Sequence, residues 1–207
     1  MAEEKLSVGS HHQGLYRPIG WGEALATDSV SLIAEQKRSA RAYAGRSRIG
    51  GLALLEEPDE VCELRVESWL PRPADVVIDF CLQRQNFIAI MPGAMQVIWS
   101  STETGELGGT YHFRWWLKNV VPVQWVAFID SYRPGSGFSD QQVRGFFRYF
   151  HHTHTAVDDG AGSRYTDTLR FAGPFGARVD RTLLVGQLRR TFEARHQRMN
   201  RMLPVLP

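Results

Sequence analysis

The part of the chain best suited to chemistry contains two histidines separated by one residue, His152 and His154. In an extended strand alternate side chains point to the same face, so both imidazoles lie on one side. Asp140 lies on the predicted strand before them and Asp167 on the predicted strand after them. Imidazoles and carboxylates gathered on one face can exchange protons, orient a ligand or bind a metal ion.

Three interpretations of this polar group compete. In the first it is a buried hydrogen-bond network, because buried imidazoles need partners and Asp and Gln side chains supply them. In the second it fixes the polar end of a hydrophobic molecule held in an apolar pocket. In the third, His152 or His154 with Asp140 or Asp167 binds a metal or moves protons, but two histidines alone are a weak signal. We therefore predict no metal and no other cofactor.

The alternation of side chains predicts which residues surround a ligand. Asp140, Gln142 and Arg144 are expected to share one face of their strand, whereas His151 lies on the face opposite His152 and is predicted to be exposed. If the predicted inner faces enclose one hollow, two histidines, two carboxylates and one amide converge there. The predicted ligand-binding residues are Phe113, Trp115, Asp140, Gln142, Phe150, His152, His154, Ala156, Asp167, Leu188 and Phe192.

Seven strands are predicted, each a short alternating or apolar segment bounded by turn-forming residues such as Pro134-Gly135 and Asp159-Gly160. Two short helices are predicted between the first two strands, one beginning at Pro73 and one over residues 83–90. Short connections favour antiparallel neighbours in one sheet. The predicted strands are residues 62–69, 95–100, 110–117, 123–132, 138–144, 147–157 and 163–171.

A long helix is predicted at the C-terminal end, from Pro174 to Leu203. Apolar residues recur there at intervals of three and four, the pattern of a helix with one buried side. The predicted buried stripe contains Val179, Leu183, Leu184, Leu188, Phe192, Met199 and Leu203. The predicted solvated side contains Arg181, Arg189, Arg195, Arg198 and Arg201. Such a stripe needs a broad partner, which a curved sheet provides.

Residues 1–59 differ from the rest and are predicted to be an N-terminal extension ahead of a domain over residues 60–207. Thr27 or Asp28 could cap a helix that ends at Ala44. Large apolar residues such as Trp21 and Ile33 are uncommon in a purely solvating tail. We therefore predict that this extension is an arm that docks on a partner protein or on a second copy of the chain.

Composition narrows the class of protein. The 207 residues contain 24 Lys and Arg against 22 Asp and Glu, and this near balance argues against a nucleic-acid binder. Two distant cysteines, Cys62 and Cys81, form neither a metal motif nor a disulfide framework, so a reducing, cytoplasmic location is predicted. No signal peptide and no membrane-spanning segment are expected.

Several motifs resemble the SRPBCC proteins, the helix-grip superfamily that includes the major birch-pollen allergen, lipid-transfer START domains and polyketide cyclases. The resemblance covers roughly residues 60–203 and is strongest to bacterial ligand-binding or cyclase/dehydrase-like members. Two departures are Gly145-Phe146 in place of the usual Gly-Pro, and Ala156 in place of a flanking aromatic residue, which is expected to enlarge the cavity. The motifs are Phe138 to Gly145, His152-Thr153-His154, Thr166-Asp167, Pro174-Phe175-Gly176, and Gln187 to Arg190 with Phe192 and His196.

Together these observations predict an α+β, helix-grip fold, in which an antiparallel sheet of about seven strands curves around the C-terminal helix. The resemblance implies a soluble protein that holds a hydrophobic or amphipathic small molecule, such as a lipid, polyketide or pigment. One alternative is a cyclase or dehydratase that uses the His and Asp groups as acid and base. Another is an accessory subunit of an assembly, docked through residues 1–59.

Overall fold

The computed structural model describes residues 29–46, 50–117 and 120–203, which form an α+β structure. The predicted capping residues Thr27 and Asp28 lie outside the described residues. The elements are α1 Ser29–Gly45, β1 Gly51–Leu52, β2 Cys62–Leu70, α2 Ala74–Leu82, α3 Arg84–Ile90, β3 Met95–Ser100, β4 Thr110–Leu117, β5 Val121–Arg133, β6 Gly137–Gly145, β7 Tyr149–Asp159, β8 Gly162–Ala172 and α4 Ala177–Met202.

The strands form one antiparallel sheet in the order β2-β8-β7-β6-β5-β4-β3, and the two-residue β1 pairs with β6. Consecutive strands from β3 to β8 are neighbours because their connections are short. Like β1, β2 pairs out of sequence, and it does so with β8 through the register Cys62↔Phe171 to Leu70↔Ser163. The seven strands, their order along the chain and the two short helices after the first long strand are therefore confirmed.

Helix α4 packs on the concave face of this sheet, mainly against β2. It begins three residues later than predicted, after Gly176, whose φ of 87° suits glycine. The predicted stripe is wrong at its N-terminal end, where Val179 and Leu183 are 44% and 59% exposed. It is also wrong at Arg195, which was placed on the solvated side but is fully buried. Arg181, Arg189 and Arg201 are exposed as predicted.

Helix α1 packs on the opposite, convex face of the sheet. Ala40 and Ala44 pack there with Val126, Phe128 and Val143 of β5 and β6. After α1 the chain forms β1, and the amide of the next residue, Ala53, donates to the carbonyl of Val143 at 2.9 Å. Residues 51–52, which lie in the predicted N-terminal extension, therefore add a short strand to the sheet.

A β-bulge at Val143 explains why Arg144 does not share a face with Asp140 and Gln142. Val126 and Ala127 are consecutive on β5 but pair with Arg144 and Gln142, so Val143 is an extra residue on β6. The Arg144 guanidinium therefore reaches α1, where Nε donates to the carbonyl of Ala44 at 2.5 Å and Nη1 donates to the carbonyl of Gly50. The prediction that Asp140, Gln142 and Arg144 share one face therefore holds only up to the bulge.

Two further findings concern membrane spans and cysteines. No described helix is long and apolar enough to cross a membrane. Cys62 and Cys81 are both buried free thiols, as their separation in the sequence predicted.

Candidate functional site

A cavity lies between the concave face of the sheet, α3 and α4. Its volume open to the centre of a water molecule is about 120 Å³, against about 10–15 Å³ needed by a single water. Eight of the eleven residues predicted to bind a ligand line it: Phe113, Trp115, Asp140, Phe150, His152, His154, Leu188 and Phe192. The alternation of β4 and β7 thus pointed these side chains to the expected face.

The other three predicted residues do not line this cavity. Gln142 points toward the β6–β7 turn, where its amide nitrogen donates to the carbonyl of Phe147 at 2.6 Å. Ala156 is buried in the cluster that packs under α2, so its small size does not enlarge the cavity as expected. Asp167 lies behind the two histidines and is fully buried.

Asp167 is the centre of a buried polar network. Its Oδ1 accepts hydrogen bonds from His152 Nε2 at 3.0 Å and from the Tyr165 hydroxyl at 2.7 Å, and it lies 3.1 Å from His154 Nδ1. Its Oδ2 accepts from Arg195 Nη1 and from His196 Nε2, the latter at 3.0 Å. Five side chains from β7, β8 and α4 therefore surround one carboxylate, and these protein groups satisfy both of its oxygens.

The charges in this network favour an ionised Asp167, a neutral His152 and a protonated Tyr165 hydroxyl. Burial alone would raise the pKa of Asp167, but the Arg195 charge and the contacts with His152 and His154 hold it well below its usual range. Burial and the proximity of His154 lower the pKa of His152 to about 4, so that ring is neutral at pH 7. Burial raises the pKa of Tyr165 well above its usual value, so its hydroxyl keeps the proton that it donates.

The cavity side of the two histidines faces a second carboxylate. His154 Nε2 lies 3.2 Å and His152 Nδ1 lies 3.6 Å from Oδ2 of Asp140. The two imidazole rings contact each other with centroids 3.8 Å apart, and Phe138 stacks on His154 at 3.9 Å. Asp140 is half-buried at the cavity wall, so this carboxylate, unlike Asp167, can meet a ligand directly.

Sequence reasoning missed three members of the network, Arg195, His196 and Tyr165. Helical spacing contained the signal for Arg195, because residues 188, 192, 195 and 199 follow intervals of four, three and four along one side of α4. The charge of the side chain led to the wrong assignment. A buried arginine needs a buried carboxylate, and Asp167 was the candidate on the facing sheet.

The prediction that His151 is exposed needs correction. Its side chain is on the convex face, opposite His152, but only 24% exposed. His151 Nε2 lies 3.1 Å from Oδ2 of Asp130, and Lys37 of α1 is 4.0 Å from the same oxygen. Asp130 is a second extra residue, on β5, and it gives this histidine a partner that alternation alone did not show.

Replacing Tyr165 by phenylalanine is expected to lower the free energy of unfolding by about 1–3 kcal/mol, the usual cost of leaving a buried polar group unsatisfied. The hydroxyl donates to Asp167 and accepts from Arg195 Nη2 at 3.2 Å, so both would lose a partner. Urea unfolding measures the change. Tyr149→Phe is the control, because that hydroxyl donates to the exposed Glu57 at 3.3 Å. Equal losses in the two variants would contradict a special role for the network.

Comparison with known proteins identifies the fold and does not go further. No family model and no curated protein matches this chain. A protein from Thermus thermophilus, TTHA0849, is 16% identical over 69% of this chain and 97% of its own, with a TM-score of 0.56. Major latex-like protein 151 from Panax ginseng is 11% identical over 71% of this chain and 99% of its own, also at 0.56. Ara h 8.0201 is 10% identical over 70% and 98%, at 0.51. The expected helix-grip fold of the START and SRPBCC type is thus confirmed.

Proposed function

We propose that this protein binds a hydrophobic or amphipathic small molecule in the cavity between the sheet and α4. The observation that supports this most is the contrast within the cavity wall. Apolar side chains form most of it, and five aromatic ones come from β4, β5 and β7, including Phe113, Trp125 and Phe150. Asp140, His152 and His154 form a compact polar group at one side of it. Ligand pockets with this composition bind an apolar body and orient one polar end.

The shape of the wall limits the ligand. Trp125 and Phe150 meet edge to face with centroids 4.8 Å apart, and Phe87 and Phe113 are 5.0 Å apart. A planar ring or a short acyl chain can pack against these rings, while a hydroxyl, carbonyl or carboxylate meets Asp140 and the histidines. Lipid-like, polyketide-like and pigment-like molecules satisfy this description.

Mass spectrometry of an organic extract from the purified native chain tests the proposal directly. We expect one compound with an apolar body and a polar end, in a near-stoichiometric amount. An extract that contains only compounds also recovered from an unrelated protein purified in parallel would contradict tight binding in this cavity.

Replacing Ala127 by phenylalanine is expected to weaken the binding of a fluorescent hydrophobic dye by about tenfold or more, equivalent to at least about 1.4 kcal/mol. Ala127 lines the cavity, so the added ring occupies space that the dye needs. The stability of the protein should change little, because the ring fills an existing void. Ala161→Phe, in the exposed turn between β7 and β8, is the control. Unchanged dye affinity in a folded Ala127→Phe protein would place the binding site elsewhere.

An enzyme that moves protons, of the cyclase or dehydratase class, is the second candidate. It is favoured by one observation, the 3.2 Å contact between Asp140 and His154 at the cavity wall. A carboxylate and an imidazole in contact can transfer a proton to or from a bound molecule. Extracts from wild type and from Asp140→Asn distinguish the candidates. A binder yields the same compound from both, whereas an enzyme yields product from one and unreacted substrate from the other.

A further inference from the structure

The hydrogen bonds around Asp167 determine which nitrogen of each cavity histidine carries its proton. The ionised carboxylate of Asp167 lies 3.0 Å from His152 Nε2 and 3.1 Å from His154 Nδ1. His152 Nε2 must present a hydrogen to the carboxylate, because a lone pair there would face a negative oxygen. His154 Nδ1 must present one to the Tyr165 oxygen 2.7 Å away, because the Tyr165 hydroxyl donates its own hydrogen to Asp167. In a neutral imidazole the other nitrogen then carries a lone pair. Those lone pairs belong to His152 Nδ1 and His154 Nε2.

Both lone pairs face the same oxygen of Asp140. His154 Nε2 is 3.2 Å and His152 Nδ1 is 3.6 Å from its Oδ2, and one ligand atom from each of the three residues lies within 4.8 Å of the others. Three electron-pair donors thus converge without a hydrogen between them, which is unfavourable unless a cation lies among them. A bound metal ion or an additional proton on His154 would provide that cation.

We propose that Asp140, His152 and His154 bind a divalent transition-metal ion of the zinc type at the wall of the cavity. With metal–nitrogen and metal–oxygen distances of about 2.0–2.2 Å, the ligand atoms of a tetrahedral site are about 3.4 Å apart. The two observed separations, 3.2 and 3.6 Å, lie on either side of that value. Two imidazoles and one carboxylate suit zinc, cobalt and ferrous ions better than magnesium or calcium.

The network behind the histidines has the arrangement that supports such sites in proteins. Histidines that bind metals usually donate their other ring hydrogen to a carboxylate, which fixes the orientation of the ring. Asp167 does this for His152, the Tyr165 hydroxyl lies 2.7 Å from His154 Nδ1, and Arg195 and Tyr165 hold Asp167 in place.

The geometry leaves one coordination position free. All three proposed ligands line the cavity, so the fourth position of a tetrahedral ion opens into it. Three protein ligands with an open position are typical of zinc sites that bind a water or the oxygen of a small molecule. This metal site goes beyond the proposed binding function, and its test requires no organic ligand.

Titration of the full-length, chelator-treated chain with Co²⁺ tests the proposal. We expect one equivalent to bind with visible d–d absorption, and Zn²⁺ to displace it. Asp140→Asn, which preserves the shape of a half-buried side chain, should weaken Co²⁺ binding by at least about tenfold to a hundredfold, the range for loss of a group that only hydrogen-bonds to a metal ligand. His154→Gln should weaken it further. His151→Gln, on the convex face, should leave it unchanged.

Two results would overturn the proposal. The first is a wild-type chain that shows no d–d absorption when Co²⁺ is added. The second is cobalt binding of equal strength in wild type, Asp140→Asn and His154→Gln, which would mean binding elsewhere. The cobalt spectrum of the wild-type chain tests the metal site even if His154→Gln fails to fold. Dye binding is measured separately, so failure of the metal proposal can be told apart from failure of the proposed binding function.

Discussion

Replacing Arg195 by methionine is expected to lower the free energy of unfolding by about 3–5 kcal/mol, the usual cost of removing one partner of a buried ion pair. Methionine keeps most of the apolar volume but leaves Asp167 ionised or forces it to take up a proton. Both side chains are fully buried, so water cannot compensate the lost charge. The measurement is the urea midpoint and slope at pH 7, with near-ultraviolet circular dichroism to show that the fold persists.

Two further variants separate the charge from the packing. Arg189→Met changes the same residue type on the exposed side of α4 and should stay within about 0.5 kcal/mol of wild type. The double variant Arg195→Met with Asp167→Asn should be more stable than Arg195→Met alone, since the amide leaves no buried charge. If the double variant is less stable than Arg195→Met, the stability of the network does not depend on the Arg195 charge balancing the Asp167 charge.

A chain shortened to begin at Glu60 is expected to lose several kcal/mol of stability, a large fraction of the about 5–15 kcal/mol typical of a domain. It lacks α1 and β1, so Val126, Phe128 and Val143 on the convex face would meet water. Arg144 would also lose the carbonyls of Ala44 and Gly50. Thermal unfolding compared with a chain beginning at Ser29 measures the contribution of the described helix.

A point substitution and a size measurement complete this test. Ala44→Glu should reproduce part of the loss, because Ala44 is fully buried against the sheet. Unchanged thermal unfolding of the shortened chain would show that α1 contributes nothing to the domain. The docking-arm hypothesis for residues 1–59 stays a prediction, and the association state of the chain beginning at Ser29 tests it: a smaller assembly than the full chain forms would support an arm within residues 1–28.

The local regularity of the strands explains how much of the site could be predicted. Alternation needs only the two-residue period of an extended chain, and it assigned His152, His154 and Phe113 to the correct face. The pairing of β7 with β8 then brought Asp167 opposite His154, because short turns between antiparallel strands fix their register. These inferences depend on geometry that any strand with this sequence would share.

The errors arose where a distant partner decides the position of a residue. Arg195 is buried because Asp167, 28 positions away, compensates its charge, and helical spacing indicates the buried side of α4 but not this partner. The contact of Tyr43 on α1 with His112 on β4, at 2.9 Å across 69 positions, is of the same kind. Val179 and Leu183 followed the apolar period, yet they are exposed while the neighbouring Asp180 is fully buried, so the first turns of α4 bury a different side.

The extra residue at Val143 has a consequence for comparing this chain with its structural relatives. Counting from Asp140, even-numbered positions of β6 face inward up to Gln142, and beyond Val143 the rule reverses, as Arg144 shows. A relative without the bulge would present an inward side chain at the position aligned with Arg144. Gain or loss of a single codon in this strand therefore exchanges the inward-facing and outward-facing residues beyond it in one evolutionary step. A residue's role can be transferred along β6 by alignment only before Val143, on the part of the strand that contains Asp140.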